Sequence, residues 1–587
     1  MSKLSVNQAF SKANSLTKKG KISDARKIYE QILLNFPGNK RARTKLKSLK
    51  HVDKFAIKEH SPSQKIVDDL LKLYNHGRLA EIINQAHSLK IEYPNSLVIW
   101  NILGGAYLSL GHSADAIQAF IKVTELNPSY SPGYNNLGSA LKQHGNYTQA
   151  EEAYEKAISL NPKYAEAYNN LGIIKRINGD LSQAIDLYLK AINIKSDFAG
   201  AYNNLGYTLR FKGKLEESLF CIEKAISIDD KNADFFNNMG ITLKHLNKFS
   251  DAINAFNIAI TLSNNFADAY LNRSYILLHT GKLKQGLNDY EWRWKASKFG
   301  LTKRVFSRPI LNRKNLLSEK TIMLWSEQGP CDVIIWLSSL KYLIPNVKHC
   351  IIECPEKLVS LLQRSFPEVT VRVENKDLTK EPADFDFHLP LGSLFRQLLP
   401  EISNQTNVES FLTPKASRIQ YWKGRLEALG SGLYVGISWK SPVMKPERSP
   451  NYTELKDWNQ IFSLPNLIFI NLDSKDFEND LIQIESELGI KIHNFNDLDH
   501  YDNLDDVAAL CAALNLCISV NTAVASIAAA VGTDTKLLTW RQSPWNNQLL
   551  SPAGPNVTIY ERDTWEPWDK CFEKIAKSIE VRKKQPI

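Results

Sequence analysis

The chain has 587 residues, which is too long for a single hydrophobic core and predicts roughly three or four domains. Its 73 Lys and Arg outnumber its 62 Asp and Glu, for a formal net charge of +11. The N-terminus has no apolar stretch of signal-peptide length, and no run approaches the roughly 18 apolar residues that a membrane span requires. We therefore expect a cytoplasmic protein with no membrane span.

The seven cysteines have neither zinc spacing nor the pattern of a disulfide framework. We expect them to be reduced core residues, and no metal site is predicted.

Basic residues are concentrated at the N-terminus, where residues 1–60 contain 15 Lys or Arg and 4 Asp or Glu. Such an arm either meets nucleic acid, ribosomes or anionic lipid, or is the solvated surface of a helix. Aromatic residues are not interleaved with the charges on one face, so the second interpretation is preferred. Nucleic acid is not the expected partner.

The next feature along the chain is internal repetition with a period of 34 residues. Related pentapeptides, YNNLG and then FNNMG, begin at Tyr134, Tyr168, Tyr202 and Phe236. A small residue and then an aromatic or apolar residue follow each pentapeptide at constant spacing, which predicts two antiparallel helices per unit. Glycines are expected to end the first helix of three units, at Gly145, Gly179 and Gly213.

This pattern resembles the tetratricopeptide family over about residues 5–296, with a poorly matching linker at 51–63. The resemblance implies a right-handed superhelix whose concave face is lined by the first helices. On that face one Asn per repeat is expected to bind the backbone of an extended peptide, as in the groove of eukaryotic protein O-GlcNAc transferase, which this half resembles. The alternative is that these Asn residues only bond between neighbouring repeats. The predicted peptide-binding residues are Asn136, Asn170, Asn204, Asn238 and Asn272.

After YEWRW at 290–294 the period ends, and short β-rich runs alternate with helical stretches. The predicted strands are 321–328, 347–354, 369–375, 433–441, 467–473, 491–495, 516–521 and 536–540. This alternation predicts parallel sheets covered on both faces. A helical region near 416–430 divides the strands into two groups. We therefore expect two Rossmann-like halves that bind ligands at the carboxyl ends of their strands.

Seven motifs of this half together resemble bacterial tetratricopeptide proteins with a C-terminal glycosyltransferase domain of the GT-B type, related to heptosyltransferases. They are YEWRW, LWSEQGPCD, DFHLPLGSL, VGISWKS, ERSPNY, NLDDVAALCAALNLCISVNTAVASIAAAVG and SPWNNQ. The resemblance implies inverting transfer of a sugar from a nucleotide-diphosphate donor, without a required metal or other cofactor. The predicted acceptor is a protein or peptide held by the repeat groove.

The predicted fold is therefore α plus α/β, an α-solenoid of repeats followed by a double Rossmann-like domain of the GT-B type. The predicted domains are a basic repeat-like unit at 1–50, a linker at 51–63, the superhelix at 64–296, an acceptor-side half at 297–425 and a donor-side half at 426–587.

A leaving nucleoside diphosphate must have its charge neutralised, which a Lys, an Arg or a helix N-terminus can do. Lys440 ends the predicted strand VGISWK at the carboxyl edge of the sheet, where it could reach a diphosphate. The alternative interpretation is that Lys440 is an ordinary surface lysine. Thr522 opens a helix of small side chains, which would allow a phosphate to approach the backbone N–H groups of its first turn. The alternative is that the small residues serve only to pack the helix against the sheet. The predicted donor-binding residues are Ser438, Lys440, Ser441, Arg448, Asn521 and Thr522.

The predicted catalytic residue is Asp332, which the resemblance implies is the general base. Three positions depart from the family pattern: Cys331 replaces the second Gly of a Gly-x-Gly-Asp loop, Asn521 replaces Asp, and Ser526 replaces His. The loop is expected to differ from the family form, because Pro330 fixes its own φ and Cys331 lacks the freedom of glycine. The alternative function is a non-catalytic repeat scaffold with a degenerate transferase domain.

Overall fold

The computed structural model describes residues 6–18, 22–36, 38–47, 62–297, 303–312, 318–375, 377, 381–402, 409–441, 452–473, 477–540, 556–563 and 566–583. The chain divides into two compact units, Met1–Thr208 and Leu209–Ile587. This division falls inside the predicted superhelix at 64–296. The predicted domain boundaries remain predictions.

The first unit is built of antiparallel helix pairs, as the 34-residue period predicts. Its helices are Val6–Lys18, Ile22–Asn35, Gln64–Asn75, Leu79–Glu92, Leu97–Ser109, Ser113–Leu126, Ser131–His144, Tyr147–Leu160, Ala165–Ile177, Leu181–Ile194 and Ala199–Phe211, the last of which continues into the second unit. Gly145 and Gly179 follow first helices with φ of 91° and 88°, a backbone conformation that favours glycine. The predicted ends of these helices are confirmed.

Close packing within each pair depends on a glycine in the first helix. A Cβ on Gly138 would lie 2.7 Å from the ring of Tyr154, and one on Gly172 would lie 2.7 Å from the ring of Tyr188. Both tyrosine side chains are fully buried. The recurring YNNLG glycine therefore makes room for the recurring aromatic residue of the second helix.

The second unit begins with the same kind of helix pair and ends with α/β structure. Its repeat helices are Leu215–Ile228, Ala233–His245, Phe249–Leu262, Ala267–His279 and Leu283–Tyr290, followed by a 3-10 helix at Glu291–Trp294. Gly213 precedes them with a φ of 75°.

Two separate parallel sheets follow. The first has the strands β1 (Thr321–Trp325), β2 (His349–Cys354), β3 (Thr370–Val373) and β4 (Phe387–Pro390) in the order β3-β2-β1-β4. The second has β5 (Leu433–Ser438), β6 (Leu467–Asn471), β7 (Ile492–His493), β8 (Leu516–Val520), β9 (Thr535–Trp540) and β10 (Val557–Arg562) in the order β10-β9-β8-β5-β6-β7. The division into two groups of parallel strands is confirmed.

Each of the eight predicted runs contains a strand, but β4 and β10 were not predicted. The four residues of β4 lie within DFHLPLGSL, where Pro390 and Gly392 are turn-forming signals that hide so short a run. The pattern VTIYER of β10 ends in two charged residues, yet Arg562 is buried. Tertiary burial, and not local apolarity, makes these two segments strands.

Helices accompany both sheets and also join them. They are Pro330–Leu337, Glu356–Ser365, Leu394–Gln397, Leu399–Ile402, Ala416–Glu427, Asn459–Phe462, Glu478–Leu488, Leu504–Ala513, Ala523–Val531 and Asp569–Lys583. Helix Pro330–Leu337 of the first half packs on Ala523–Val531 of the second, and Glu356–Ser365 packs on Leu504–Ala513. One hydrophobic core thus includes side chains of both halves, among them Ile334, Leu358, Val507 and Ala528.

Within the described part of the chain, no helix combines the length and the apolar character needed to cross a bilayer.

Candidate functional site

The carboxyl edge of the six-stranded sheet gathers most of the predicted donor-binding residues. β5 ends at Ser438, and β8 is followed by Asn521 and Thr522. Because β5 pairs directly with β8, these ends are adjacent, and the Ser438 and Thr522 hydroxyl oxygens are 3.2 Å apart. Lys440 and Ser441 follow β5 at the same edge. Arg448 lies outside the described residues.

A buried carboxylate that the sequence analysis did not select lies at the centre of this edge. Asp473 follows β6, the other neighbour of β5, and accepts a hydrogen bond from Ser438 Oγ at 2.5 Å. Its second oxygen accepts from the backbone N–H of Trp439 at 2.8 Å and of Lys440 at 3.2 Å. Asp473 therefore fixes both the Ser438 hydroxyl and the backbone that carries Lys440.

Asp473 has little contact with solvent, being 5% exposed. Burial raises the pKa of its carboxyl from 3.8 to about 7, while its three hydrogen-bond donors oppose the rise and the Asp480 carboxylate adds to it. A carboxyl that changes charge near neutral pH at the ligand edge of a parallel sheet is a candidate functional group. The sequence signal for it was the Asp that ends the predicted strand 467–473.

Thr522 precedes the helix Ala523–Val531 in an extended conformation. Its hydroxyl lies 3.2 Å from both Ser438 Oγ and Ser519 Oγ. The small side chains of the helix are mostly buried, from Val524 to Ala530, so packing accounts for much of their size. The first turn nevertheless begins at the sheet edge with the half-buried Ala523, and unsatisfied N–H groups of a first turn attract anions.

Lys440 does not present an isolated cation. Its ammonium lies 2.8 Å from Asp480 Oδ2, which also accepts from Trp439 Nε1 at 2.9 Å. Both Lys440 and Asp480 side chains are mostly buried, at 22% and 28% exposure. A phosphate at this edge would share Lys440 with the Asp480 carboxylate.

Asp332 lies in the first turn of the helix Pro330–Leu337, where its negative charge interacts favourably with the positive end of the helix dipole. Gly329, before the helix, has a φ of −70°, and Pro330 occupies a first-turn position that tolerates proline. The segment therefore needs no left-handed residue at Cys331. With its amide nitrogen facing Asp332, Gln328 donates to Asp332 Oδ1 at 3.1 Å and accepts from the Tyr290 hydroxyl at 3.1 Å.

The two halves meet beside Asp332. Cys331 Sγ lies 3.2 Å from Ser526 Oγ, so two of the three positions that depart from the family pattern contact each other. Ser526 is almost completely buried and Cys331 is half-buried.

A buried ionic cluster joins the YEWRW motif to the first sheet. Arg293 is fully buried and donates to both oxygens of Glu327 at 3.0 Å and to Glu291 at 3.0 Å. Burial raises the pKa of Glu327, and the Arg293 guanidinium opposes that rise. A Cβ on Gly392 would lie 1.9 Å from Glu327 Oε1, which explains the glycine of LGSL. The motifs YEWRW and DFHLPLGSL thus have a structural role, because their side chains pack together where the repeats join the first sheet.

A cavity of about 590 Å³ opens between the halves on the other flank, where β2 and β3 end. Glu374, Glu356 and Asp502 are among its lining residues, and Ser326 donates to Glu374 at 2.8 Å. Asp505, another lining residue, forms an ion pair with Arg364 at 2.7 Å. Within the described residues, no group of three or more His, Cys, Asp or Glu is placed to hold a metal ion.

The Asn ladder makes contacts between repeats. The side-chain nitrogens of Asn136, Asn170, Asn204 and Asn272 donate to Asn101, Asn135, Asn169 and Asn237, at 2.9–3.0 Å. This geometry agrees with the alternative interpretation, in which the Asn residues bond between neighbouring repeats. The first three ladder residues and Asn238 are half-buried, whereas Asn272 is buried. Peptide binding by these side chains remains a prediction.

The repeats are tetratricopeptide repeats. Residues 97–130, 135–204 and 199–232 match the tetratricopeptide repeat family. The protein FlbA of Caulobacter vibrioides (strain ATCC 19089 / CIP 103742 / CB 15) is 28% identical over 283 residues, which are 45% of this chain and 47% of FlbA. The chain thus matches about half the length of this relative.

Several solved structures are similar over part of the chain. The Cut9–Hcn1 hetero-tetramer of APC/C is 20% identical over 50% of this chain and 54% of that chain, with a TM-score of 0.36. MamA is 31% identical over 27% of this chain and 94% of its own, with a TM-score of 0.25. YrrB, a TPR protein with an unusual peptide-binding site, is 20% identical over 34% of this chain and 98% of its own, with a TM-score of 0.26.

Proposed function

We propose that the chain is an inverting, metal-independent glycosyltransferase of the GT-B kind, which transfers a sugar from a nucleotide-diphosphate donor to a protein acceptor bound by the repeats. The observation that carries this proposal is the start of helix Ala523–Val531 at the carboxyl edge of β8, beside Ser438 and Asp473. The edge lies where ligands bind in parallel α/β sheets. The resemblance of the motifs supplies the reaction class.

The proposed binding position of the donor diphosphate is the first turn of this helix. Backbone N–H groups there carry partial positive charge, and Ala523 leaves them accessible to a phosphate. The hydroxyls of Ser438 and Thr522 are adjacent hydrogen-bond donors, and Asp473 fixes the first of them. Lys440 supplies a cation once a phosphate competes with Asp480 for its ammonium.

Asp332 is proposed as the base on the opposite half. The acceptor oxygen forms a bond to the anomeric carbon while the bond from that carbon to the diphosphate oxygen breaks, and the nucleoside diphosphate leaves with the electron pair. The acceptor proton passes to the Asp332 carboxylate, which Gln328 orients. The halves contact each other at Cys331 and Ser526, one residue from Asp332.

A non-catalytic repeat scaffold is the second candidate. The Lys440–Asp480 ion pair favours it, because it neutralises the cation expected to bind phosphate. The Cys331–Ser526 contact also favours it, since neither residue supplies the titratable group of the family pattern. Both candidates keep the repeats as a protein-binding region.

The test is calorimetric titration with UDP, GDP, ADP and TDP of the natural chain and two variants. Ala523→Asp places a carboxylate at the first helical position, where it stabilises the helix yet repels phosphate. Ala523→Asn is a matched neutral control of nearly the same size. We expect one nucleotide to bind, with affinity lost in Ala523→Asp and largely kept in Ala523→Asn.

Donor hydrolysis is then measured with the sugar nucleotides of the base that binds. If none of the four nucleotides binds to a natural chain that melts cooperatively, the transferase proposal is rejected and the scaffold is retained. Equal binding by both Ala523 variants would place the nucleotide elsewhere.

A further inference from the structure

Seven second helices of the repeat pairs have the same length, 14 residues, so they can be compared position by position. The next-to-last residue of the last five helices is polar: Glu125, Ser159, Asn193, Ser227 and Thr261. In the first two helices it is apolar, and the side chains of these residues, Leu34 and Ile91, are 81% and 79% exposed. Leu34 and Ile91 therefore depart from the repeat pattern at a position on the surface.

The residue that follows the helix continues this departure in the first unit. Phe36 follows the helix Ile22–Asn35 and is 52% exposed, whereas Tyr93 of the second unit is half-buried. The five later helices are followed by polar residues: Asn127, Asn161, Lys195, Asp229 and Ser263. Leu34 and Phe36 thus form an exposed apolar pair where the helix ends, and neighbouring exposed apolar residues rimmed by polar ones are typical of an interaction site.

A strongly basic helix begins next to this apolar pair. The backbone N–H of Asn39 donates to the carbonyl oxygen of Phe36 at 3.0 Å in the turn between them, and residues 40–47 are helical. One side of this helix packs on the core of the first unit, because Ala42 is fully buried and Leu46 is half-buried. The remaining positions include five exposed cations: Lys40, Arg41, Arg43, Lys45 and Lys47. No Asp or Glu interrupts them, so the surface beside the apolar pair is positively charged.

We propose that Leu34, Phe36 and the basic helix at 40–47 bind the surface of a membrane that contains anionic lipids. The apolar pair enters the boundary between the headgroups and the acyl chains, and the cations contact the anionic headgroups. Peripheral segments bind in this way with a strength that increases with the buried apolar area and with the number of Lys and Arg near the surface. The helices and the turn keep their conformation, since only exposed side chains take part.

The exposed leucine favours lipid over other polyanions. Lys, Arg and polar side chains make the phosphate contacts of nucleic acids, and an aliphatic side chain adds nothing to them. Of the two apolar residues only Phe36 has a ring on which a base can stack, and Leu34 is the more exposed. An acidic protein partner would need roughly 800 Å² of complementary surface, of which two side chains at a turn supply only a small part. A lipid surface requires no such complementary shape.

The experiment is co-sedimentation of the full chain with lipid vesicles, in the absence of any nucleotide. One set of vesicles contains phosphatidylserine and phosphatidylcholine in equal parts, and the matched control contains phosphatidylcholine alone. We expect the partition coefficient to be at least about tenfold higher for the anionic vesicles, and to fall as salt is raised. The result is independent of sugar transfer, because neither the transferase nor the scaffold proposal predicts lipid binding.

Leu34→Ser tests the apolar contact, and Ser is the residue that two later repeats have at this position. It should lower the partition coefficient for anionic vesicles by at least about threefold, because a polar side chain gains nothing from leaving water. Ile91→Ser is the matched control at an equally exposed position, since the helix Leu97–Ser109 that follows it contains no charged residue. This change should lower the partition coefficient by less than about twofold.

Lys40→Glu tests the charge and should lower the partition coefficient by at least about fivefold. The change suits the fold, because residue 40 begins a helix whose Ala42 N–H donates to the Asn39 side chain at 3.0 Å, and a carboxylate stabilises a helix start. Lys190→Glu is the matched control, an exposed charge reversal on the helix Leu181–Ile194, and should have less than about a twofold effect. Circular dichroism checks the fold of every variant.

Equal partition into the two kinds of vesicle would overturn the proposal, as would equal effects of Leu34→Ser and Ile91→Ser. An effect of Lys40→Glu without one of Leu34→Ser would also overturn it, since adsorption by charge alone requires no exposed leucine. A labelled oligonucleotide that binds the full chain and that anionic vesicles do not displace would overturn it in favour of nucleic acid. If anionic vesicles bind as expected but no nucleoside diphosphate does, this inference stands and the transferase proposal fails.

Discussion

Cys331 Sγ lies 3.2 Å from Ser526 Oγ, although the two residues are 195 positions apart. The contact joins the first turn of the helix Pro330–Leu337 to the helix Ala523–Val531, and so joins the two α/β halves. In the family that these motifs resemble, the positions carry Gly and His. Cys331 is larger than the Gly of the family pattern, and Ser526 is smaller than the His. This indicates that the two departures compensate each other in volume.

The first prediction tests this compensation. Ser526→His should destabilise the protein by about 1–3 kcal/mol, because an imidazole must fit into a packed site beside Cys331. In a Cys331→Gly background the same change should cost less, since the Cys side chain has been removed. Chemical denaturation of the natural chain, both single variants and the double variant gives the coupling energy, expected to be at least about 0.5 kcal/mol. Additive effects would show that the two positions are independent.

The second prediction concerns the pH dependence of stability. In the folded protein the pKa of Asp473 is about 7, against 3.8 for an ordinary Asp. Between pH 4 and pH 7 the folded state therefore holds a proton that the unfolded state has released, and stability falls as pH rises, by up to roughly 4 kcal/mol. Asp473→Asn should remove this loss, because its amide oxygen can accept from the backbone donors and its nitrogen can donate to Ser438 Oγ.

The measurement is the free energy of unfolding from pH 4 to pH 8 for the natural chain and Asp473→Asn. The variant should gain stability relative to the natural chain as pH rises, and the difference should level off above pH 7. Asp497→Asn is the control, because the Arg425 hydrogen bond lowers the pKa of Asp497 below its ordinary value of 3.8. This carboxylate is ionised in both the folded and the unfolded state over most of the range, so the difference from the natural chain should stay nearly constant. A constant difference between Asp473→Asn and the natural chain would contradict the raised pKa.

The third prediction separates a buried ion pair from an exposed one. Arg293→Met leaves Glu327, which is 2% exposed, without its bidentate partner and should cost about 3–5 kcal/mol. Lys320→Met removes a partner of Asp386 in a pair whose side chains are 39% exposed, and should cost less than about 1 kcal/mol. Thermal unfolding of both variants provides the comparison. Similar losses would mean that burial does not control the contribution of Arg293.

The fourth prediction compares two helical glycines. Gly138→Ala places a methyl group 2.7 Å from the Tyr154 ring and should destabilise the repeats by about 1–3 kcal/mol. Gly424→Ala meets no atom within 4 Å on the exposed side of the helix Ala416–Glu427 and should stabilise the protein by about 0.5–1 kcal/mol. Opposite shifts in melting temperature are expected, and a gain for Gly138→Ala would refute the role of glycine in close packing.

Local patterns by themselves determined the repeats, the eight predicted strands and their division into two parallel sheets. Each of these depends on residues close in sequence, where periodicity reports which face is buried. The gathering of Ser438 and Thr522 was also predictable, because neighbouring parallel strands end at the same edge of a sheet.

Only the tertiary structure decided how those residues are used. It placed Asp473 against Ser438, paired Lys440 with Asp480, and engaged the Asn ladder in bonds between repeats. These contacts join side chains from 35 to 40 positions apart, and the Cys331–Ser526 contact spans 195. The 34-residue period anticipates the Asn bonds as one of two interpretations, but no period encodes the other three contacts, since they depend on the packing of separate elements and on the burial that raises the pKa of Asp473.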